Sequence, residues 1–406
     1  MPSKDFSALA KAHDDWRLKR CINLIPSENI MSPTARALLS SDLASRYSLP
    51  INDVVHGAFV ENAYRGTRYS DEITISAERL ACEAFGARHV SLAPLSGHVA
   101  AILMLSALCR KGDTVMSLSS SDGGYDGYCK KYIPDMLGLG TRCLPFDQSL
   151  WNIDVEAACA AILRFRPRLV VLGASYLPFP HPVRELSEAC ATAGAFLGYD
   201  AAHVLGILPS FQQPLREGAD IVVANTHKTF WGPQGGLAMA NDPEIDQAVR
   251  RNLTWRTLDN THLNRIAATG QALLEYKRHG KAYAAQVVKN SRALAAALDG
   301  GGFPVRFKKL GYTRSHQILL GIDGMKKMFR ADSNTIAKRL ERYNVITDAV
   351  GRLGTQEVTR MGLRERDMKE LAELIFMGAS GENIGKGVRA LRKRMKLCYV
   401  LKKRGD

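Results

Sequence analysis

Asn225-Thr-His-Lys-Thr-Phe-Trp-Gly-Pro-Gln-Gly-Gly236 follows a run rich in β-branched residues, Ala219-Asp-Ile-Val-Val-Ala224. The run reads as a buried strand. Gly232, Pro233, Gly235 and Gly236 read as the tight turn that closes it. Lys228 therefore stands between a buried strand and a turn. Desolvation penalises an ammonium there, and the neutral amine is the form that attacks a carbonyl to make a Schiff base. On these grounds Lys228 is a candidate anchor for pyridoxal 5'-phosphate (PLP), with a solvated loop lysine as the alternative.

Upstream of this stretch, from Ser32 to about residue 270, short apolar runs alternate with helical patterns. The runs include His89-Val-Ser-Leu-Ala93, Thr114-Val-Met-Ser-Leu118, Leu169-Val-Val-Leu-Gly173 and Ala195-Phe-Leu-Gly-Tyr199. Val99 to Leu108 and Arg184 to Ala193 carry helical patterns between them. Such alternation predicts an α/β fold, a mostly parallel sheet covered by helices, with ligands at the carboxyl ends of its strands. Three parts are expected: an N-terminal helical arm over 1–30, a large domain over 31–270, and a smaller α+β domain over 271–406. The last should hold a long helix from Leu273 to Leu298, a strand over Gln317 to Ile322 and a helix over Ser333 to Tyr343, before a final pair of helices.

The chain has 406 residues, 46% of them hydrophobic and 23% charged, the profile of an ordinary globular protein. No apolar run reaches the roughly 20 residues that span a bilayer. The opening Met1-Pro-Ser-Lys-Asp-Phe6 has no secretory character. The eight cysteines show no paired or metal-ligand spacing. A cytoplasmic protein with no membrane partner and no metal is expected. The net charge of +15 raises the question of nucleic acid. Much of the excess lies in Lys386 to Lys396 and in Lys402-Lys-Arg404, where a solvated helix is the preferred account.

Four further segments bear on Lys228. Asp200, in Tyr199-Asp-Ala-Ala-His203, ends an apolar run and needs a cationic or hydrogen-bonding partner. A protonated pyridine nitrogen is one such partner; a helix N-cap is the alternative. His203 can lie near a ring oxygen or be structural. Ser96 and Gly97, in Pro94-Leu-Ser-Gly-His-Val99, can offer a hydroxyl and backbone amides to a phosphate at a helix N-terminus. Tyr125, in Ser121-Asp-Gly-Gly-Tyr125, can lay its ring on a pyridine face or pack beneath a loop. Arg352, between Gly351 and Gly354, can grip a carboxylate in bidentate fashion or form a surface salt bridge.

In order and position these segments resemble serine hydroxymethyltransferase and its relatives among the fold-type-I PLP enzymes. The resemblance runs from Leu24-Ile-Pro-Ser-Glu-Asn29 to Arg352-Leu-Gly-Thr-Gln-Glu-Val-Thr-Arg360, and Thr226-His-Lys-Thr229 with the following turn is its most specific part. It implies a seven-stranded, mostly parallel sheet in the large domain, with PLP held on Lys228. Asp200 would pair with the pyridine nitrogen, His203 would lie near the ring oxygen, and Tyr125 would stand in place of a stacking histidine. Ser96, Gly97 and His227 would hold the phosphate, with His98 at a position usually serine, and Ser175 would also contact the cofactor. Ser27 and Arg352 would bind the substrate carboxylate. Tyr47 and Tyr64 fall on tyrosines that cross a dimer interface in the family, so a homodimer with active sites at the interface is implied, Tyr47 reaching the cofactor and Tyr64 the substrate.

The departures concern folate. Leu49 sits where the family's proton-shuttling glutamate is found, and leucine carries no proton; Asp53, His56 and Glu61 are the nearby candidates to replace it. Ser120 and Asp126 stand at folate-contacting apolar positions. Arg256-Thr-Leu-Asp-Asn-Thr-His-Leu263 replaces a glycine-rich loop, and Val345-Ile-Thr-Asp348 runs almost directly into Arg352. The expected activity is aldol cleavage or transfer on a β-hydroxy-α-amino acid, threonine or serine, through a resonance-stabilised glycine carbanion (a quinonoid), with an aldehyde co-substrate in place of folate. The alternatives are a genuine serine hydroxymethyltransferase with an altered carrier site, and a PLP-fold binding protein without catalysis.

Overall fold

The computed structural model describes residues 5–401. The basic Lys402-Lys-Arg404 segment lies outside them, as does the start of the chain through Lys4. The chain divides into two compact units: residues 29–284 with the C-terminal end, and residues 1–28 with 285–398. The sequence reading instead set residues 1–30 apart as an arm and placed the main boundary after residue 270. The difference at the boundary arises because one continuous helix, Leu263–Gly300, runs through the expected junction. Its apolar and small residues keep a helical pattern ten residues further upstream than the reading from Leu273 allowed. At the N-terminus, Ile22 and Leu24 are fully buried, so the segment after the first helix is core.

The larger unit is built on a seven-stranded sheet. In chain order its strands are β1 (His89–Ser91), β2 (Thr114–Ser117), β3 (Gly140–Cys143), β4 (Leu169–Leu172), β5 (Phe196–Asp200), β6 (Ile221–Asn225) and β7 (Gly236–Ala240). They lie side by side in the order β1-β7-β6-β5-β4-β2-β3. All neighbouring pairs are parallel except those made by β7, which runs antiparallel to both β6 and β1. The expected mostly parallel sheet is thus present.

Strand β6 is buried at every position, Ile221 through Asn225, as its β-branched run requires. The helix Gly97–Leu108 is apolar on nearly all sides because it too is covered on both faces. Its Ala101, Met104 and Leu105 share one core with Val115, Val171, Ile221 and Val223 of the sheet. Register brings the carboxyl ends together: Asp200 lies opposite Val223, Tyr199 opposite Leu172, and Val171 opposite Ser117. The loops after β2, β4, β5 and β6 therefore leave the sheet along one edge.

The smaller unit pairs Ile22–Asn23 in parallel with Val345–Ile346, and Gln317–Leu319 antiparallel with Arg352–Gly354. Beyond Gln317–Leu319 the expected strand is cut short by a helix, Ile322–Phe329. The basic segment forms a helix, Gly385–Arg394, that buries Val388 and Leu391, while Met395 follows at its end. No helix among the described residues is long and apolar enough to cross a membrane.

A polar cluster ties the first strand of this unit down. Asn23 donates to Glu357 Oε2 at 2.6 Å and to Glu28 Oε2 at 3.0 Å, and Arg17 pairs with Glu28 at 2.5 Å. Burial pushes the Glu357 carboxyl up to about 7, against the opposing pull of Asn23, Arg17 and Arg392. A carboxyl raised on folding favours the folded state below its unfolded value near 4.5, and that contribution is lost as pH rises through about 7. The loss is at most about 3 kcal/mol, and the partial solvent contact of Glu357 makes this an upper bound. The unfolding midpoint should fall between about pH 5 and pH 8, and Glu357→Gln should flatten that fall in thermal melts. An unchanged slope in the variant would rule the account out.

Candidate active site

A cleft opens along the carboxyl edge of the sheet, with about 610 Å³ of open space. Ser96, Gly97, His98, Tyr125, Ala174, Ser175, Asp200, Ala202, His203, Asn225, His227 and Lys228 line it. Nine of the residues singled out in the sequence are therefore brought to one place by strand ends far apart in the chain.

Each is positioned by a local device. Ser96 caps the helix Gly97–Leu108, its Oγ accepting from the Val99 amide at 3.1 Å. The first-turn amides of such a helix have no acceptor within the helix and can face an anion. Gly173, with φ +95°, lets the loop after β4 pass against β5, where a Cβ would stand 2.1 Å from the Asp200 carbonyl. That approach brings Ala174 and Ser175 beside Asp200. His181 supports the same loop, its Nδ1 accepting from the Gly173 amide at 3.1 Å. Burial holds the His181 imidazole down at about 3, so it stays neutral.

Asp200 is buried at the end of β5. Its Oδ1 accepts from the Ala202 amide at 2.9 Å, and its Oδ2 accepts from the Tyr128 hydroxyl at 2.9 Å. Burial pushes the Asp200 carboxyl upward, opposed by the Ala202 amide, the Lys228 charge and Tyr128. Asp200 therefore closes a local turn through Ala202 instead of capping a helix, since the next helical turn, Leu205–Ile207, begins after Val204, while the Tyr128 hydroxyl supplies the hydrogen-bonding partner that its burial requires. Lys228 Nζ stands 3.2 Å from His203 Nε2. Asn225, with its amide oxygen toward the lysine, accepts from Nζ at 3.1 Å and donates to the Ala202 carbonyl at 3.2 Å. Burial, and then Lys228, lowers the His227 imidazole to about 4. Its Nδ1 has no hydrogen-bond partner among the described residues.

Four predicted residues do not line this cleft. Tyr47 donates to Asp259 Oδ2 at 2.7 Å, and its ring packs on Tyr64 at 5.4 Å; both tyrosines are exposed. They flank the hairpin Pro50–Val55 and Ala58–Asn62, which leaves Val54 and Phe59 open to solvent. Ser27 and Arg352 belong to the other unit. There Arg352 donates from Nε to Asp348 Oδ2 at 2.8 Å, while Asp348 Oδ1 accepts from the Arg352 and Val350 amides. Asp348 thus closes the short connection between Val345–Ile346 and Arg352–Gly354 as a tight turn. Of the candidates to replace the proton carrier absent at Leu49, His56 sits at the exposed hairpin turn and Glu61 faces Arg65 at 3.6 Å. The Asp53 side chain lies outside the described residues.

Tyr128, Asn225 and His181 were not assigned from the sequence. Tyr128 had a signal, a second tyrosine three residues after Tyr125. Asn225 opened the quoted lysine stretch without a role. His181 had none.

The sequence matches the serine hydroxymethyltransferase family over residues 4–375. This chain belongs to the serine hydroxymethyltransferase family. It is 41% identical over 377 residues to the serine hydroxymethyltransferase of Methanocella arvoryzae, covering 88% of this chain and 85% of that one. It is 39% identical over 383 residues to the serine hydroxymethyltransferase of Methanopyrus kandleri, covering 89% and 86%. Among solved structures it is similar to an L-threonine transaldolase from Pseudomonas fluorescens, with a TM-score of 0.86, 23% identity, and coverage of 97% of this chain and 92% of that one. That likeness concerns the fold, which is the fold-type-I architecture of PLP enzymes.

This serine hydroxymethyltransferase family member is a PLP-dependent enzyme. The cleft fits the cofactor chemically. It offers a helix N-terminus and an unpartnered buried His227 Nδ1 for a phosphate, a primary amine for an aldehyde, and a buried carboxylate for a protonated ring nitrogen. Among the described residues no group of three or more His, Cys, Asp or Glu side chains is arranged to hold a metal ion.

Proposed function

We propose that this chain cleaves β-hydroxy-α-amino acids, threonine foremost, to glycine and an aldehyde without folate, and in the reverse sense joins glycine to an acceptor aldehyde. The observation that carries this reading is the closed connection at residues 347–351, where Asp348 spends both oxygens on the turn and on Arg352. The pterin-gripping loop of the family would need this place. Leu49 and the polar Ser120–Asp126 pair, bonded at 2.5 Å, remove further folate features.

PLP supplies a sink for the electron pair released when the Cα–Cβ bond breaks. The residues of this chain do the rest. Lys228, oriented by His203 and Asn225, would carry the amine that holds the cofactor and that the substrate displaces. Asp200 would hold the ring nitrogen, with Tyr128 and the Ala202 amide fixing its rotamer. Ser96, Gly97, His98 and His227 would grip the phosphate, and Ser175 and Tyr125 would contact the ring. Arg352, steered by Asp348, would bind the substrate carboxylate together with Ser27. Tyr47 and Tyr64 would serve the site of a second copy in a homodimer, which also accounts for the exposed hairpin beside them.

The identity to the serine hydroxymethyltransferases of Methanocella arvoryzae and Methanopyrus kandleri favours a second reading, serine as substrate with a reduced folate or pterin as carrier. Incubating the PLP-loaded enzyme with threonine alone separates the two. Release of acetaldehyde without any carrier is expected. No acetaldehyde, with serine turnover appearing only on addition of a pterin, would replace the first reading by the second.

A further inference from the structure

We propose that His98 and Tyr125 form a proton-transfer dyad, Tyr125 exchanging a proton with the reacting hydroxyl of the substrate and His98 taking up the phenol proton. This rests on the aldol reading above.

Elimination within the cleft leads to this pair. The β-hydroxyl must lose a proton as the Cα–Cβ bond breaks. Asp200 is committed to Tyr128 and the Ala202 amide. His203 faces Lys228. His227 is buried and its basicity is lowered by burial and by Lys228. His56 and Glu61 are not among the residues lining the cleft. With Lys228 taken as the amine that holds the cofactor, what remains among the histidines and carboxylates lining the cleft is His98 Nδ1, 2.7 Å from Tyr125 Oη.

The two partners differ in a way that suits a relay. His98 is exposed and can exchange protons with water, whereas Tyr125 is half-buried. Burial first, then the charges of Asp200 and Asp126, push the Tyr125 phenol upward, so it stays protonated near neutrality and passes a proton without storing charge. The ring is also held in place. A Cβ on residue 127 would stand 2.3 Å from Tyr125 Cε1, so only glycine admits the ring there. Tyr128, bonded to Asp200, meets the Tyr125 ring edge-on at 5.6 Å.

With the ring proton of His98 on Nε2, Nδ1 accepts from the phenol. The substrate O–H gives its proton to Tyr125 Oη as the phenol proton moves to His98 Nδ1. The Cα–Cβ pair goes to the α-carbon, the Cβ–O bond becomes the aldehyde carbonyl, and His98 becomes an imidazolium. The charge balances, and return of the proton restores the pair.

The test uses His98→Gln, Tyr125→Phe and the double variant in the full-length protein. PLP binding, read by visible absorbance, should persist in Tyr125→Phe and weaken in His98→Gln, which also loses a phosphate contact; at saturating PLP, KM for threonine should stay within about twofold in both. For each single variant kcat should fall on the order of 100-fold, and the double variant should be no slower than either single. In the PLP-free protein, Tyr125→Phe should move the ring ¹⁵N resonances of His98, a readout independent of turnover. A His98→Gln enzyme near wild-type kcat, additive losses in the double variant, or unmoved His98 resonances would overturn the dyad. Should His98→Gln fail to bind PLP, Tyr125→Phe, which removes one oxygen, carries the kinetic arm. A wild type that cleaves no β-hydroxy amino acid would instead count against the aldol reading, with the resonance shift still reporting on the pair.

Discussion

Lys228→Ala is expected to lower kcat by on the order of a thousandfold or more, because one substitution removes the amine nucleophile that would hold the cofactor. Nζ lies 3.2 Å from His203 Nε2 and 3.1 Å from the Asn225 amide oxygen, and no other lysine is among the residues lining the cleft. The fold should survive, since Lys228 follows the buried strand instead of packing within it. The check is twofold: turnover, and borohydride reduction of the PLP-loaded protein followed by peptide mapping. Wild type should carry the label on the peptide containing Lys228, and the variant should carry none. A label elsewhere, or retained turnover in the variant, would remove Lys228 from its role.

The second large effect is expected at Asp200. Asp200→Asn keeps an oxygen for the Tyr128 hydroxyl or the Ala202 amide, so the melting temperature should move little. Catalysis should nevertheless fall about 10²–10³-fold, the usual cost of losing one preorganised electrostatic group. The physical cause is the missing negative charge opposite a protonated ring nitrogen. Burial already makes the Asp200 carboxylate costly in the protein alone, and a cationic partner relieves that cost. PLP affinity should therefore weaken along with rate, measurable by absorbance titration. Equal activity of Asp200→Asn and wild type would show that the carboxylate only caps the turn through Ala202.

Four of the residues that could be read without the structure share one property: each lies at the end of a strand or shortly after it. Asp200 ends β5, and Lys228, Ser96 and Tyr125 come within eight residues of the ends of β6, β1 and β2. Their partners have no such mark. Tyr128 meets Asp200 across a gap of 72 residues, and His98 meets Tyr125 across 27. Asp348 lies near Arg352 in sequence, yet nothing local said that its side chain would turn back onto the guanidinium. Helix Leu263–Gly300 hid the division between units because helical periodicity carries no record of which residues each turn packs against.

From the order of residues alone came the α/β class, through alternating strand and helix patterns, and the chemistry of the cofactor, through a lysine between a β-branched run and a glycine turn taken together with the order and position of the segments around Asp200, Ser96, Tyr125 and Arg352. The signal in each segment is local, set by backbone preference and by the cost of burying a charge. Tertiary structure decided which side chains meet at the cleft and which support them from behind. Strand register aligns Ser117, Leu172, Asp200 and Asn225 along one edge, and only then do Tyr128, His98, Asn225 and Lys228 come within bonding distance of their partners.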